Sequence, residues 1–557
     1  MTNVVSAAGL AWLGLGLCSS TLAAQEPQGG ANLQLSNETF RVELATAGAV
    51  PVGWSVRDDT PGGTGGDNFV DLLDPGAIAA TTFRPLALVL PPLPDGGVPA
   101  ADQRVYEVSR ADTPTELVVT LTAPPDASGL QFIKTYRLVN GQHVAQLRVE
   151  VHNSGDVAQT LDHDGRGLGI TLGPGLGYSA TRKPELFGEG WVTSILGFYK
   201  GPDGVFSVDV PSEEPRRADV PETGGAQWGG VHSQYFTMVL VPETDGAAAP
   251  FVSATIAADT SAGFGDRIGA EDLESYPCVT LFHPPLTLAP GASHVYAYSI
   301  YAGPKDRELL QASGLEIEPI LFHHLWDWLA WLCKALETAL AALNSVFNSW
   351  GWSIIVFAVL FRVITMPLSL YGAKHQMLMK RKMTALKPEV AAIKEKHKSN
   401  SDTRNEAILA LYKKNGINPL SQSKGCLPLL IQLPVMVALF QLLLNSYELR
   451  GASFMWIDDL TLTDRLAPLG FELPWLGSYF NVLPLIMFVA QVIIAKSMSS
   501  STEPGEGGAG PALLLLPVAM TILLYPFPSG CMLFWTTGNI LQVAEQRLAT
   551  SYVRKMS

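Results

Sequence analysis

Residues 350–371, WGWSIIVFAVLFRVITMPLSLY, decide how this chain is read. The run is apolar and long enough to cross a bilayer, which takes about 20 residues. Arg362 interrupts it, twelve residues after Trp350 and twelve before Lys374. That spacing puts the charge near mid-membrane, where an arginine costs about 2.5–3.5 kcal/mol on insertion scales. The other apolar runs hold no Asp or Glu until Glu545, near the end of the last one. Arg362 is therefore expected to have no acidic protein partner and to meet water, a lipid headgroup or a polar substrate. The alternative is that its side chain snorkels to one interface.

Working outward from that run, the charge divides the chain. The whole carries −14, but residues 1–350 hold 18 Lys+Arg against 39 Asp+Glu, and residues 351–557 hold 19 against 12. Two environments are implied. The first part is rich in Gly and Pro and is large enough for its own core. Of the five cysteines, at 18, 278, 333, 426 and 531, only Cys278 lies in the soluble part, so no disulfide framework forms there. No Cys/His spacing suggests a metal, and no cofactor is implied.

Residues 1–24 are apolar with a small-residue end and read as a signal anchor or a cleaved signal peptide. Residues 25–318 read as an all-β domain, with alternating segments at 40–44, 116–122, 131–138, 143–151, 237–241 and 294–301 between Gly, Pro and Asp clusters. A large β-sandwich is expected. His143, His152, His163 and His232, near Asp162 and Asp164, are candidates for an acid/base site there, although surface His and Asp in loops are more often structural or solvated. Residues 319–349 read as a Trp-rich amphipathic helix, lying at the outer interface or packed on the β domain.

Further spanning segments are expected at 425–445, 479–495, 512–527 and 530–549. The loop 373–424 holds 12 Lys+Arg against 4 Asp+Glu, which marks it as cytoplasmic. The first span then runs inward, the rest alternate, the acidic β domain lies outside, and the tail 550–557 lies inside. The loop itself reads as a two-helix hairpin. One helix covers 385–397, and a second opens on the capping-box pattern Thr403-Arg404-Asn405-Glu406 and closes near Gly416. Such a hairpin offers a docking face bearing Lys394, Lys396, Lys398, Arg404, Lys413 and Lys414.

At this point the chain resembles a known family. The stretches Ala410-Leu411-Tyr412-Lys413-Lys414, Asn418-Pro419-Leu420, and Gly425 through Pro434 (GCLPLLIQLP), with Arg362 and Pro367-Leu368, look like the YidC/Oxa family of membrane protein insertases. Tyr447-Glu448-Leu449-Arg450 and Phe527-Pro528-Ser529-Gly530 also match. The resemblance covers 350–549, and the preceding domain is similar in size and placement to the periplasmic supersandwich of Gram-negative YidC.

That resemblance implies a five-span core around a positively charged groove, open to cytoplasm and lipid and closed outside. It implies Arg362, Gln432, Gln491, Trp535, Thr536 and Asn539 as groove residues. Function would be insertion and folding of inner-membrane proteins, with no catalytic residues, no metal and no cofactor. Nascent membrane proteins, lipids and possible contacts with the Sec translocon and the ribosome are the implied partners, with no direct nucleic-acid binding. The location would be the bacterial inner membrane, multi-pass, with the C-terminus in the cytoplasm. Where the family commonly has tyrosines after FPSG, Phe534 and Trp535 stand here, and Ala358 replaces a common hydroxyl residue one turn before the arginine. The competing readings are a membrane-anchored carbohydrate-binding or carbohydrate-active protein and a small-solute transporter, although no repeat symmetry is visible.

Overall fold

Alternation of buried and exposed positions builds the first domain. In the strand Leu130–Val139 the burial runs buried, half-buried, buried along nearly its whole length, and Val144–Asn153 beside it does the same. A period of two puts one face inward. The computed structural model describes residues 32–60, 68–73, 84–90, 104–162, 164–173, 196–202, 204–208, 217–219, 225–243, 250–259, 276–323, 325–398, 400–415, 427–473, 476–499 and 509–555.

Among these, nine antiparallel strands form the largest sheet. Its central members are Phe236–Pro242, Ser293–Pro304, Val144–Asn153 and Leu130–Val139, in that order. A second sheet of five strands, including Ser253–Asp259, Tyr276–Phe282 and Gly169–Leu172, and a third of four, Asn32–Ser36 through Phe69–Leu73, accompany it. The sheets share one apolar core containing Phe40, Trp54, Phe132, Tyr136, Phe251 and Tyr298, all essentially solvent-free. At about 25 cal/mol per Å² of apolar area, such large side chains dominate the stability of the domain. All six sequence-predicted segments are strands, each within three residues of the expected ends.

Nine helices carry the rest of the described chain. The short α1 (Arg307–Ala312) leads through a 3₁₀ turn at Glu318–Leu321 into α2 (Asp327–Phe347). The expected interfacial helix thus starts eight residues later than 319. Its buried residues Leu329, Cys333, Leu336 and Leu340 recur at helical spacing, while Trp326, Trp328 and Trp331 are more than half exposed. The buried stripe packs on helices of the C-terminal core rather than on the β domain, and Cys333 Sγ approaches Ala438 O at 3.5 Å.

The helix α3 (Trp350–Ala385) contains the opening stretch and continues through Pro367 well past it. The first part of the basic loop is therefore an extension of α3. Then α4 (Lys387–Lys396) and α5 (Ser401–Lys414) make the expected hairpin. One local expectation fails: α5 is capped by Asn400, whose side-chain oxygen accepts from the Asp402 and Thr403 amides at 3.0 and 3.3 Å, so Thr403 lies inside the first turn. Gly416 falls outside the described residues.

The core is completed by α6 (Leu427–Asn445), α7 (Leu483–Ser499), α8 (Ala509–Leu524) and α9 (Ser529–Lys555). Among the described residues, only 350–371 is both long and apolar enough by itself to cross a membrane; 432–445, 483–496 and 515–524 are shorter apolar helices. The loop between α6 and α7 holds a hairpin of two strands, Ala467–Leu473 and Gly477–Phe480, which the sequence reading did not anticipate.

Candidate functional site

Arg362 lies on the face of α3 that meets α9, the most extensively packed helix pair in the core. The level of the contact is set by aromatic rings: Phe534 of α9 lies 6.0 Å from Phe357 and 5.9 Å from Phe361. Arg362 follows Phe361 directly. It is 8% exposed, and its Nη2 sits 2.9 Å from Glu545 Oε2. This overturns the expectation of an unpaired cation. Glu545 is eleven residues past Phe534, about 16 Å along the helix at 1.5 Å per residue, which made it look out of reach. The two long side chains nevertheless meet across the α3–α9 contact. The snorkelling alternative is partly realised, with a protein carboxylate in place of the interface.

The pair does not use up the donors around it. Arg362 Nε is buried with no hydrogen-bond partner among the described residues, and so is the Nδ2 of Asn539, a residue 7% exposed overall. A buried donor without a partner costs about 1–3 kcal/mol, so both are groups that gain from a visiting acceptor. Trp535, one turn from Asn539, packs partly buried against the same apolar cluster. Gln432 on α6 and Gln491 on α7 are half-buried. Thr536 behaves differently: it is buried, and its hydroxyl reaches Leu483 O at 3.4 Å, which ties α9 to the start of α7. It belongs to the helix contacts more than to a polar lining. Ala358 is buried, in keeping with the loss of a hydroxyl there.

The outer end of this site is closed by close backbone approach. A side chain at Gly351 would meet Phe454 Cγ at 2.1 Å, and one at Gly530 would meet Leu460 O at 3.1 Å, so glycine is what lets the loop 447–466 sit on the starts of α3 and α9. Ser529 N donates to Leu462 O at 2.5 Å, and Ser529 Oγ to Asp459 O at 3.1 Å. Asp464 Oδ2 accepts from the Val482 and Leu483 amides, both at 2.7 Å, and so caps α7. The PSG segment before α9 is thus the seat of this plug.

The β domain docks on the end of α6 and on the same loop. Gln234 Nε2 donates to Leu444 O at 2.8 Å, and Tyr447 Oη donates to Asp58 Oδ1 at 2.9 Å. Sequence reading missed these contacts, because they join residues more than two hundred positions apart. Next to them, Lys305, Asp306, Glu337 and Glu448 line a cleft between the domain, α2 and the end of α6. Burial pushes the Glu337 and Glu448 carboxyls up to about 7, helped at both by nearby Asp306, and pulls the Lys305 ammonium down to about 7. Lys305 Nζ donates to Ser233 O at 3.1 Å.

Of the four candidate histidines, the three described ones do not converge. His143 and His152 flank one strand and are about 30 Å apart at 3.3 Å per residue. His152 Nδ1 bonds Ser293 Oγ at 2.8 Å, and His143 packs against Phe40 and Tyr301. His232 lies beside Lys305, and Asp162 accepts from the Gly165 amide within its own turn. His163 lies outside the described residues. No group of three or more His, Cys, Asp or Glu among the described residues is arranged to hold a metal. The hairpin lysines Lys394, Lys396, Lys398, Lys413 and Lys414 are exposed, and Arg404 is half-buried.

Comparison with known proteins bears on both halves. A family model described as the YidC periplasmic domain matches residues 32–339, more than half of the chain. Another, described as the 60Kd inner membrane protein, matches 342–556. A protein named membrane protein insertase YidC from Cupriavidus pinatubonensis is 29% identical over 440 residues, 78% of this chain and 68% of that protein. One of the same name from Chlorobium phaeovibrioides is 29% identical over 377 residues, 67% of this chain and 59% of that one. A solved structure described as an active YidC insertase with its first transmembrane domain resolved aligns at 16% identity and a TM-score of 0.35, covering 92% of this chain and 91% of that one, a likeness too loose to carry an argument. The carbohydrate reading of the β domain is therefore not favoured, and the chain, with its β-rich periplasmic domain and helical C-terminal core, belongs to the YidC family.

Proposed function

We propose that this chain inserts membrane proteins by offering the polar stretch of an incoming segment a buried positive site, while the apolar part of that segment slides into lipid. The observation that carries the reading is Arg362, held almost solvent-free in the long apolar run 350–371, with its Nε lacking a partner among the described residues. Burial of the client's own apolar helix supplies the driving force, at about 25 cal/mol per Å². Membrane potential adds about 2.3 kcal/mol per charge per 100 mV for translocated acidic residues.

In this reading α3, α6, α7, α8 and α9 are the five spans. The short apolar lengths of α6, α7 and α8 then match a bilayer thinned around a hydrated groove. The plug formed by 447–466 closes the outside, and the α4–α5 hairpin faces the cytoplasm, where ribosomes or delivery factors dock. The Sec translocon would meet the periplasmic side, and residues 1–24 would be an anchor or signal peptide. Gln432, Gln491 and Trp535 line the groove beside Arg362.

The test uses matched clients with acidic or neutral translocated tails in vesicles carrying the full chain. Arg362→Ala alone strands Glu545, so both charges are removed together. Arg362→Ala/Glu545→Ala should accumulate normally and lose the advantage of acidic over neutral clients. An unchanged acidic advantage in the double variant would refute the reading.

A further inference from the structure

The carboxylate that neutralises Arg362 belongs to the protein itself. Arg362 and Glu545 keep side-chain exposures of 10% and 11%, with 2.9 Å between Nη2 and Oε2. The contact leaves Nε unbonded, so the side edge of the guanidinium is not closed by a two-point pair. A guanidinium presents five donors in a planar fork and binds a carboxylate best through two of them. Beyond Glu545, Arg547 is exposed, so the helix reaches solvent within two residues.

We propose that Glu545 is an internal competitor for the acidic segment of an incoming chain: it holds Arg362 at rest, and a client carboxylate engages by displacing it. This rests on the insertion reading above. Exchanging one carboxylate for another keeps the buried arginine paired throughout, whereas simply opening the pair would strand a charge in an apolar site. The client carboxylate takes over the contact that Glu545 gives up, and the buried Nε, which has no partner among the described residues, is a further donor for it. When the segment leaves, Glu545 returns. Glu545 therefore sets how acidic a segment must be before Arg362 responds, and it is a specificity-determining residue.

The measured quantity is the ratio of insertion of a client with two aspartates in its translocated tail to that of an otherwise identical neutral client. Protease protection in vesicles carrying the full chain reads it. If the pair occupies Arg362 about nine-tenths of the time, freeing it raises apparent affinity for acidic segments about tenfold. Glu545→Gln should therefore raise the ratio several-fold. Glu545→Asp, whose carboxylate is set back by one methylene, should give a ratio between those of Gln and wild type. The Asp variant also supplies the reading if the Gln variant does not accumulate. A ratio at or below the wild-type value in the variants that accumulate would overturn the proposal. Failure of the insertion reading looks different: there the Arg362→Ala/Glu545→Ala protein keeps the wild-type ratio.

Discussion

Asp58 and Arg450 form a 2.5 Å ion pair in which the aspartate is wholly buried, joining the periplasmic domain to the loop that plugs the core. Tyr447 adds a hydrogen bond to the same carboxylate, and the Arg450 guanidinium lies 5.5 Å from the centre of the Phe236 ring. All three contacts bind one side of the joint to the other. Removing one partner of such a pair costs about 3–5 kcal/mol, because the other charge is left buried. Asp58→Ala should lower the melting temperature of the purified chain clearly, and Asp58→Leu/Arg450→Met should recover most of the loss. Equal melting of Asp58→Ala and wild type would show that the pair does not hold the joint.

The cleft beside that pair predicts a dependence on pH. Glu337 and Glu448 stay protonated up to about 7 in the folded protein, well above their ordinary range, chiefly through burial. The folded state thus binds more protons than the unfolded one between the two values, and stability falls as pH rises from about 4.5 to 7. Lys305 acts in the opposite sense. Its folded pKa of about 7 lies below the unfolded value, so its penalty is full below 7 and is relieved as pH rises toward 10.5. Arg307 and Lys334, which favour ionised Glu337, moderate the first effect. Melting of the wild-type chain should pass through a shallow minimum near pH 7. Glu448→Gln should flatten the acid side of that curve; an unaltered slope would contradict the assignment.

Local sequence carried the domain division well. Period-two strands such as Leu130–Val139 and the continuous apolar run of α3 were legible because each bears its pattern within a few residues. Cap identity was less so: Asn400 and Thr403 are both good capping residues, and only the backbone geometry decides between them. The Glu545 partnership was hidden because it depends on the reach of two long side chains across a helix pair. Asp58 with Arg450, 392 positions apart, has no sequence signal at all, since an ion pair between distant segments leaves no spacing to read.

Topology can be tested at positions chosen for exposure. Lys398, in the basic hairpin, is exposed, and Met455, in the plug loop, is 67% exposed. Thr461 would serve poorly, because it is buried and its hydroxyl bonds Asp459. In a chain whose own cysteines are replaced, Lys398→Cys should react with an impermeant maleimide only in inverted vesicles, and Met455→Cys only in intact spheroplasts. The charge excess around 373–424 sets this orientation. Labelling of position 398 from the outside would remove the basis for the whole span assignment.

The hairpin itself is expected to matter for clients and not for folding. No residue of α5 is buried, and α4 and α5 pack mainly on each other. Asn400 caps the second helix, and Lys413 and Lys414 lie in its last turn, where cations offset the helix dipole, so part of its stabilisation is local. Leu386, at 8% exposure, is the one anchored side chain at its root. Replacing residues 387–414 by a short flexible linker should therefore leave melting within a few degrees of wild type, since surface changes away from packed features are worth about 0.5 kcal/mol or less. Insertion should fall severely if the hairpin is where delivery factors or ribosomes dock. A milder intermediate separates charge from shape. Reversing Lys394, Lys396 and Lys398 to Glu keeps the helices but removes their attraction for an anionic partner, and its effect should weaken as salt rises, because exposed charges are screened over about 8–10 Å at physiological strength. Normal insertion by the linker variant would reduce the hairpin to an orientation signal.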